Sequence, residues 1–226
     1  MSEQTLPERE PQPEAPVART GLLSDTSLEI FAAVLLSITT IAAAWCAYQS
    51  TRWSGVQANN YAEAGTARVE STREFNRGMQ LLSLDANTFL QYVDAFSDDK
   101  TALLEFFETR LFRVDFLPYF DAWMATDPLT NPDAPRNPFV NPDYQSSLFA
   151  ESDALEIEAG EKFQAAQDAN QTGDDYVLNT VFFASVLFFA GIASQFPSRR
   201  VQLGLFGCGV VIFVIVMART IGMPIE

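Results

Sequence analysis

Histidine is absent from the 226 residues. With it go the commonest general base, the Ser/His and Cys/His nucleophile pairs and the commonest metal ligand. Cys46 and Cys208 both lie inside long uncharged runs, so no thiol site is expected in the polar part of the chain. At ~1.5 Å per residue their depths along those runs differ by more than about 10 Å, which argues against a disulfide. Oxygen chemistry is what remains. The stretch "TDPLTNPDAPRNPFVNPDY" gathers Asp127, Asp133 and Asp143 with Asn131, Asn137 and Asn141, which could ligate calcium or offer paired carboxylates for acid–base work. Calcium loops need alternating ligands about a central glycine, and Asp-Pro and Asn-Pro are turn formers. The stretch therefore reads as a turn-rich proline loop, 127–142, and no catalytic residue, metal ligand or cofactor is assigned. Gly204, Gly207 and Gly209 form no phosphate-cradling loop, because they fall inside an apolar run where small residues permit close helix packing.

Three such runs organise the chain. Residues 28–48 carry one charge, Glu29, while 177–196 and 201–218 carry none. Each is about the length that crosses a bilayer as a helix, so all three read as transmembrane helices. The first follows a long Pro/Glu-rich tail and exceeds the apolar core of a signal peptide, so it is expected to stay. Bulky Trp45 before Cys46 also argues against a lipidated cysteine. Residues 1–24, with "PEREPQPEAP", read as disordered.

Between the first two runs lies an acidic segment, 49–175, with nine Lys/Arg against 22 Asp/Glu; its net −13 is nearly all of the chain's −15. Such a surface repels nucleic acid, leaving the lipid bilayer and a second copy or another membrane protein as expected partners. No proline occurs between Pro16 and Pro118, so the first membrane helix can continue beyond the bilayer. Phe75, Met79, Leu82, Ala86, Phe89, Val93 and Phe96 alternate four and three residues apart, predicting a heptad seam that serves either an ordinary bundle core or a homo-oligomeric coiled coil. Ala58, Ala62, Gly65 and Val69 extend the seam with small residues. Asp99 is placed to cap a helix over about 100–113, and a short helix follows with Pro118 in its first turn. After Pro142 a helix returns with Leu148, Leu155, Ala159, Phe163 and Ala166 on one face, and Gly173 marks a kink or break. The predicted fold is all-α: three membrane helices with a long helical hairpin between the first two, capped by aromatic helices and the proline loop.

Trp45, Tyr48, Arg52 and Trp53 stand where the first run ends, as an aromatic belt with an adjacent charge at the membrane interface. Gln49, Ser50, Ser54 and Gln57 could bond across a close contact that Gly55 allows. Arg199 and Arg200 sit in the short connection between the last two runs, which the positive-inside tendency places in the cytoplasm. The N-terminus is then cytoplasmic and the hairpin outside. Only uncharged polar residues occur in the runs, speaking against ion-coupled transport; Asn179 is expected to bond to a neighbouring helix.

The blocks "AWCAYQSTRWSGVQ", "FLPYFDAWMATDPLTNPDAPRNPFVNPDY" and "DDYVLNTVFFASVLFFAGIASQF" with "SRR" resemble an uncharacterised family of small bacterial three-span membrane proteins. The resemblance covers most of the chain from Leu28 and implies a bacterial cytoplasmic (inner) membrane protein, with no activity to carry over. The residues themselves favour a non-enzymatic helical assembly or interaction module. The alternative is a homo-oligomeric channel or sensor gated through the hairpin, and an enzyme using tip carboxylates such as Asp127 and Asp133 is a further reading.

Overall fold

A computed structural model describes residues 25–226, and the 1–24 tail with its expected disorder lies outside them. All regular structure among the described residues is helical: α1 (Asp25–Ser97), α2 (Thr101–Phe106), α3 (Leu117–Met124), α4 (Pro142–Ala193) and α5 (Arg199–Ile221). Three of these, α1, α4 and α5, contain segments long and apolar enough to cross a membrane. The residues form two compact units, one reaching to Gln49 and resuming over Asp175–Ile225, the other spanning Ser50–Asp174.

In the first unit Leu35, Val186, Ala190, Ala193 and Phe206 make a small core. Gly209 lets α5 approach α4 closely, its hypothetical Cβ lying 3.5 Å from Phe189 Cβ and 3.7 Å from the Val186 carbonyl. Gly204 and Gly207, expected to pack, have nothing within 4 Å of where a Cβ would stand. They lie on other sides of the same helix, since 209 is two residues, about 200°, from 207. Much of the apolar surface is not covered by the unit itself: Ile41 is 71% exposed, Phe188 62% and Ile215 63%. Arg199 and Arg200 form the first turn of α5 rather than a loop.

In the second unit α1 and α4 run antiparallel. The pairs Gln57 with Asn170, Glu63 with Lys162, Ser71 with Ser152 and Gly78 with Leu148 step in opposite directions along the two helices. The seam of α1 differs from the predicted one by a single position, about 100° of helix. Ala64, Ala67, Ser71, Gly78, Asp85, Tyr92 and Ala95 are buried, whereas Phe75, Met79, Val93 and Phe96 are 41–48% exposed and Val69 61%. Leu82 and Ala86 are half-buried, and Phe89 alone of the predicted seam is buried. The cause is helix proximity: a Cβ on Gly78 would lie 2.6 Å from the Leu148 carbonyl oxygen and 2.7 Å from the Phe149 ring. Up to Gly78 the seam is filled by small side chains and a phenylalanine cannot enter, so Phe75 is turned to its edge, where it packs on Phe149 at 5.3 Å. On α4 the expected face holds, with Ala159 and Ala166 buried and Leu148, Leu155 and Phe163 half-buried.

Other details depart from the sequence reading. Gly55 and Gly65 have open space where a Cβ would stand, so the close contact expected there is made instead at Gly78 and Gly173. Gly173 does not break α4, which is continuous through it; its hypothetical Cβ lies 3.6 Å from Trp53 Cβ. Asp99 is not a helix cap: it takes the left-handed backbone conformation, φ 55°, and Lys100 holds the α2 N-terminus without a side-chain cap. The helix expected over 100–113 is α2 followed by one widened turn, Phe107–Leu111, closed by the Phe112 amide bonding to the Phe107 carbonyl five residues back.

Candidate functional site

The far end of the hairpin is assembled from aromatic rings. Phe89, Tyr92 and Ala95 of α1, Phe107 and Phe112, Phe116 and Phe120 around α3, and Tyr144 of α4 form one buried cluster. Phe112 and Phe120 meet at 4.7 Å, Tyr92 and Phe120 at 5.0 Å, and Phe116 stacks on Phe139 at 5.3 Å with ring planes 10° apart. Edge-on and offset pairs of this kind add about 0.5–1.5 kcal/mol each beyond area burial. The aromatic tip therefore packs inward, and α3 starts where expected, with Pro118 in its first turn.

Within that cluster sits a charge. Asp85 is 2% exposed and accepts from Arg113 through Nε at 3.0 and 3.2 Å and Nη2 at 3.0 Å, and from the Tyr144 hydroxyl at 2.8 Å. Arg113 in turn gives Nη1 to Asp115 at 3.2 Å. A carboxylate so deep is tolerable only when paired and fully hydrogen-bonded, and this one is. Burial pushes the Tyr144 phenol above its ordinary range, and the bond to Asp85 adds to it. Tyr92 is raised in the same way by burial and by its 2.8 Å bond to Glu108. Neither phenol is poised to give up a proton near neutrality, and the network acts as a staple joining α1, the turn before α3, and α4. Beside it a cleft of about 560 Å³ is lined by Glu74, Arg77, Arg113, Asp115, Tyr119 and Glu151 among others, a mixture of both charges.

The asparagines of the proline loop spend their side-chain oxygens on turns. Asn131 Oδ1 accepts from the Asp133 amide at 3.0 Å, Asn137 Oδ1 from Phe139 at 3.1 Å, and Asn141 Oδ1 from Asp143 at 2.9 Å. The last of these caps α4. Asp127 adopts φ 51° in the turn that opens the loop. Trp123 closes it with an Nε1 bond to the Pro135 carbonyl at 2.8 Å.

In the unit of apolar segments the polar residues face one another. Asn179, fully buried, donates through Nδ2 to Thr220 Oγ1 at 3.0 Å and to Met223 Sδ at 3.1 Å. The Thr220 hydroxyl donates to the Val216 carbonyl at 2.8 Å, and Cys46 Sγ stands 4.0 Å from the same hydroxyl. The bond from Asn179 to another helix is the one expected, while its Oδ1 has no hydrogen-bond partner among the described residues. Cys46 and Cys208 are both free. Trp45 and Tyr48 are exposed with rings 5.9 Å apart, and Arg52 is exposed, while Trp53 is half-buried. Of the polar group near them, Gln57 bonds Asn170 at 2.9 Å, and Ser54 returns to its own helix.

Sequence reading missed Asp85, Arg113 and Tyr144 as a group. The available signal was Asp85 itself: it is the only charge between Gly78 and Val93, seven residues from Gly78 and seven from Tyr92. A lone carboxylate at that repeat position asks for a buried cation. Comparison with known proteins supplies no further guide, as no family model, curated protein or solved structure matches the chain.

Proposed function

We propose that the chain is a membrane-anchored, non-enzymatic helical module that acts by assembly through its hairpin. One observation carries this reading. In the hairpin unit the buried carboxylate Asp85 and the loop asparagines are committed to structural hydrogen bonds, while large apolar side chains such as Met79, Leu90, Val93 and Leu129 stand 44–70% exposed.

Membrane anchoring is supported by the three apolar segments, whose outward residues suit hydrocarbon rather than water. Arg199 and Arg200 oppose the dipole at the start of α5, an unfavourable place for cations in a helix. Their position suits anionic headgroups on a cytoplasmic face, giving an inner-membrane protein of bacterial type with the hairpin outside. A channel is the less economical reading, because Asn179 and Thr220 bond to each other and Ser37, Thr40 and Ser185 bond to their own helix carbonyls.

Polymer extraction of native membrane discs, followed by mass measurement and identification of co-extracted chains, tests the reading. An assembly of more than one protein chain per particle is expected; lone copies throughout would overturn it.

A further inference from the structure

Between Gly78 and Val93 α1 carries one charge, Asp85, and it is buried against Arg113. The other 15 side chains are uncharged, although Met79, Gln80, Ser83, Leu84, Asn87 and Leu90 are exposed. Helix faces that end in water are ordinarily charged, and the rest of the hairpin follows that habit. The α4 arm over 142–174 carries eight acids against one lysine, while the α1 arm over 50–97 carries five against four. Depletion of charge together with exposed large apolar groups is the composition of an interface core. Met79, Ala86 and Val93 recur every seven residues, with Phe75 and Leu90 beside them, which is a repeat that accepts another helix lying along it.

We propose that this face of α1 docks a second copy of the same chain, α1 against α1, as a parallel pair. The inference deepens the assembly reading and rests on membrane anchoring. Copies inserted in the same sense present α1 in the same direction, so a two-fold axis along the bilayer normal sets Met79, Ala86 and Val93 each opposite its own counterpart. Charge selects the occupant. An acidic hairpin repels its own copy across the α4 face and does not across this one. The stretch from Phe75 to Val93 is ~27 Å long. A strip ~10 Å wide then covers roughly 500–600 Å² over both copies, below the ~1,200 Å² typical of stable soluble complexes. Confinement in one bilayer supplies the remainder by raising effective concentration, so the pair belongs to the membrane-embedded protein.

The test is disulfide formation in intact membranes, in a full-length chain carrying Cys46→Ser and Cys208→Ser. Single cysteines at Met79, Ala86 and Val93 are expected to give oxidised dimers at least tenfold more abundant than cysteines at Glu158 or Asp168 on α4. Adding Met79→Glu to the Val93 cysteine should remove its dimer with helix content unchanged. Equal cross-linking at all five positions, or none at the α1 positions, overturns the inference. If the α1 cysteines stay monomeric while native discs still contain a second protein, self-pairing fails and the assembly reading stands. Release of the chain from membranes by alkaline carbonate sinks both.

Discussion

Replacing Asp85 by Ala removes the acceptor for two buried or half-buried donors at once. The Tyr144 hydroxyl, with no exposed surface, loses the acceptor of its proton, which costs about 1–3 kcal/mol for an unsatisfied buried donor. The Arg113 guanidinium loses its bidentate carboxylate, but its side chain is 20% exposed and Asp115 remains at 3.2 Å. Breaking a fully buried pair costs about 3–5 kcal/mol; partial access of Arg113 to water places Asp85→Ala near the lower end, ~3 kcal/mol. Arg113→Ala should cost at least as much, since it strands a carboxylate that is 2% exposed. Tyr144→Phe, which leaves the ion pair intact, should cost about 1.5–3 kcal/mol. The double variant Asp85→Ala/Arg113→Ala should fall short of the sum of the singles by at least ~1 kcal/mol. Urea unfolding in detergent, followed by Trp123 fluorescence in a Trp45→Phe/Trp53→Phe background, measures all four. Trp123 packs on Phe89 at 5.3 Å, so it reports the tip. An Asp85→Ala cost under about 1 kcal/mol, or strict additivity in the double variant, would refute the staple.

Four other outcomes follow from the structure. Gly78→Ala must push a Cβ against the Leu148 carbonyl and the Phe149 ring, costing about 1–3 kcal/mol as overpacking. Gly65→Ala meets open space and should stabilise α1 by about 0.5–1 kcal/mol; paired urea midpoints check both signs. Tyr92 and Tyr144 have phenols raised in the folded state, so their contribution is complete below the unfolded tyrosine value of ~10 and is lost as pH climbs through the folded values. Alkaline titration of helix content should therefore show the tip weakening only above about pH 10, and an onset near neutral pH would contradict the assignment. In the apolar unit, Thr220→Val leaves the Asn179 amide only the weak Met223 sulfur acceptor and should cost ~1 kcal/mol; adding Asn179→Leu should recover part of it, because the unpartnered Oδ1 goes as well. Thermal denaturation in detergent distinguishes recovery from a further loss.

The helices were legible because their signals are local: three uncharged runs, a proline-free stretch from 17 to 117 and Pro118 at a helix start each act within a turn or two. Which face of α1 meets α4 was not. Hydrophobicity picks Phe75, Met79 and Val93, whereas the contact is decided by how near the backbones come at Gly78, a distance that belongs to both helices together. The same proximity made Gly65 look like a contact and turned it to open space. Asp85 was obscured for the related reason that its partner Arg113 lies 28 residues away. The misplaced seam is also informative. The apolar repeat in α1 is real, but the hairpin leaves it at the edge, and a second molecule is what the repeat can serve.

The mass of the full-length chain in polymer-extracted membrane discs tests this account most directly. Each copy weighs 25.0 kDa, and particles are expected to hold two copies, reduced to one by Met79→Glu with Val93→Glu. Particles holding one unmodified copy, with no other protein, would contradict it.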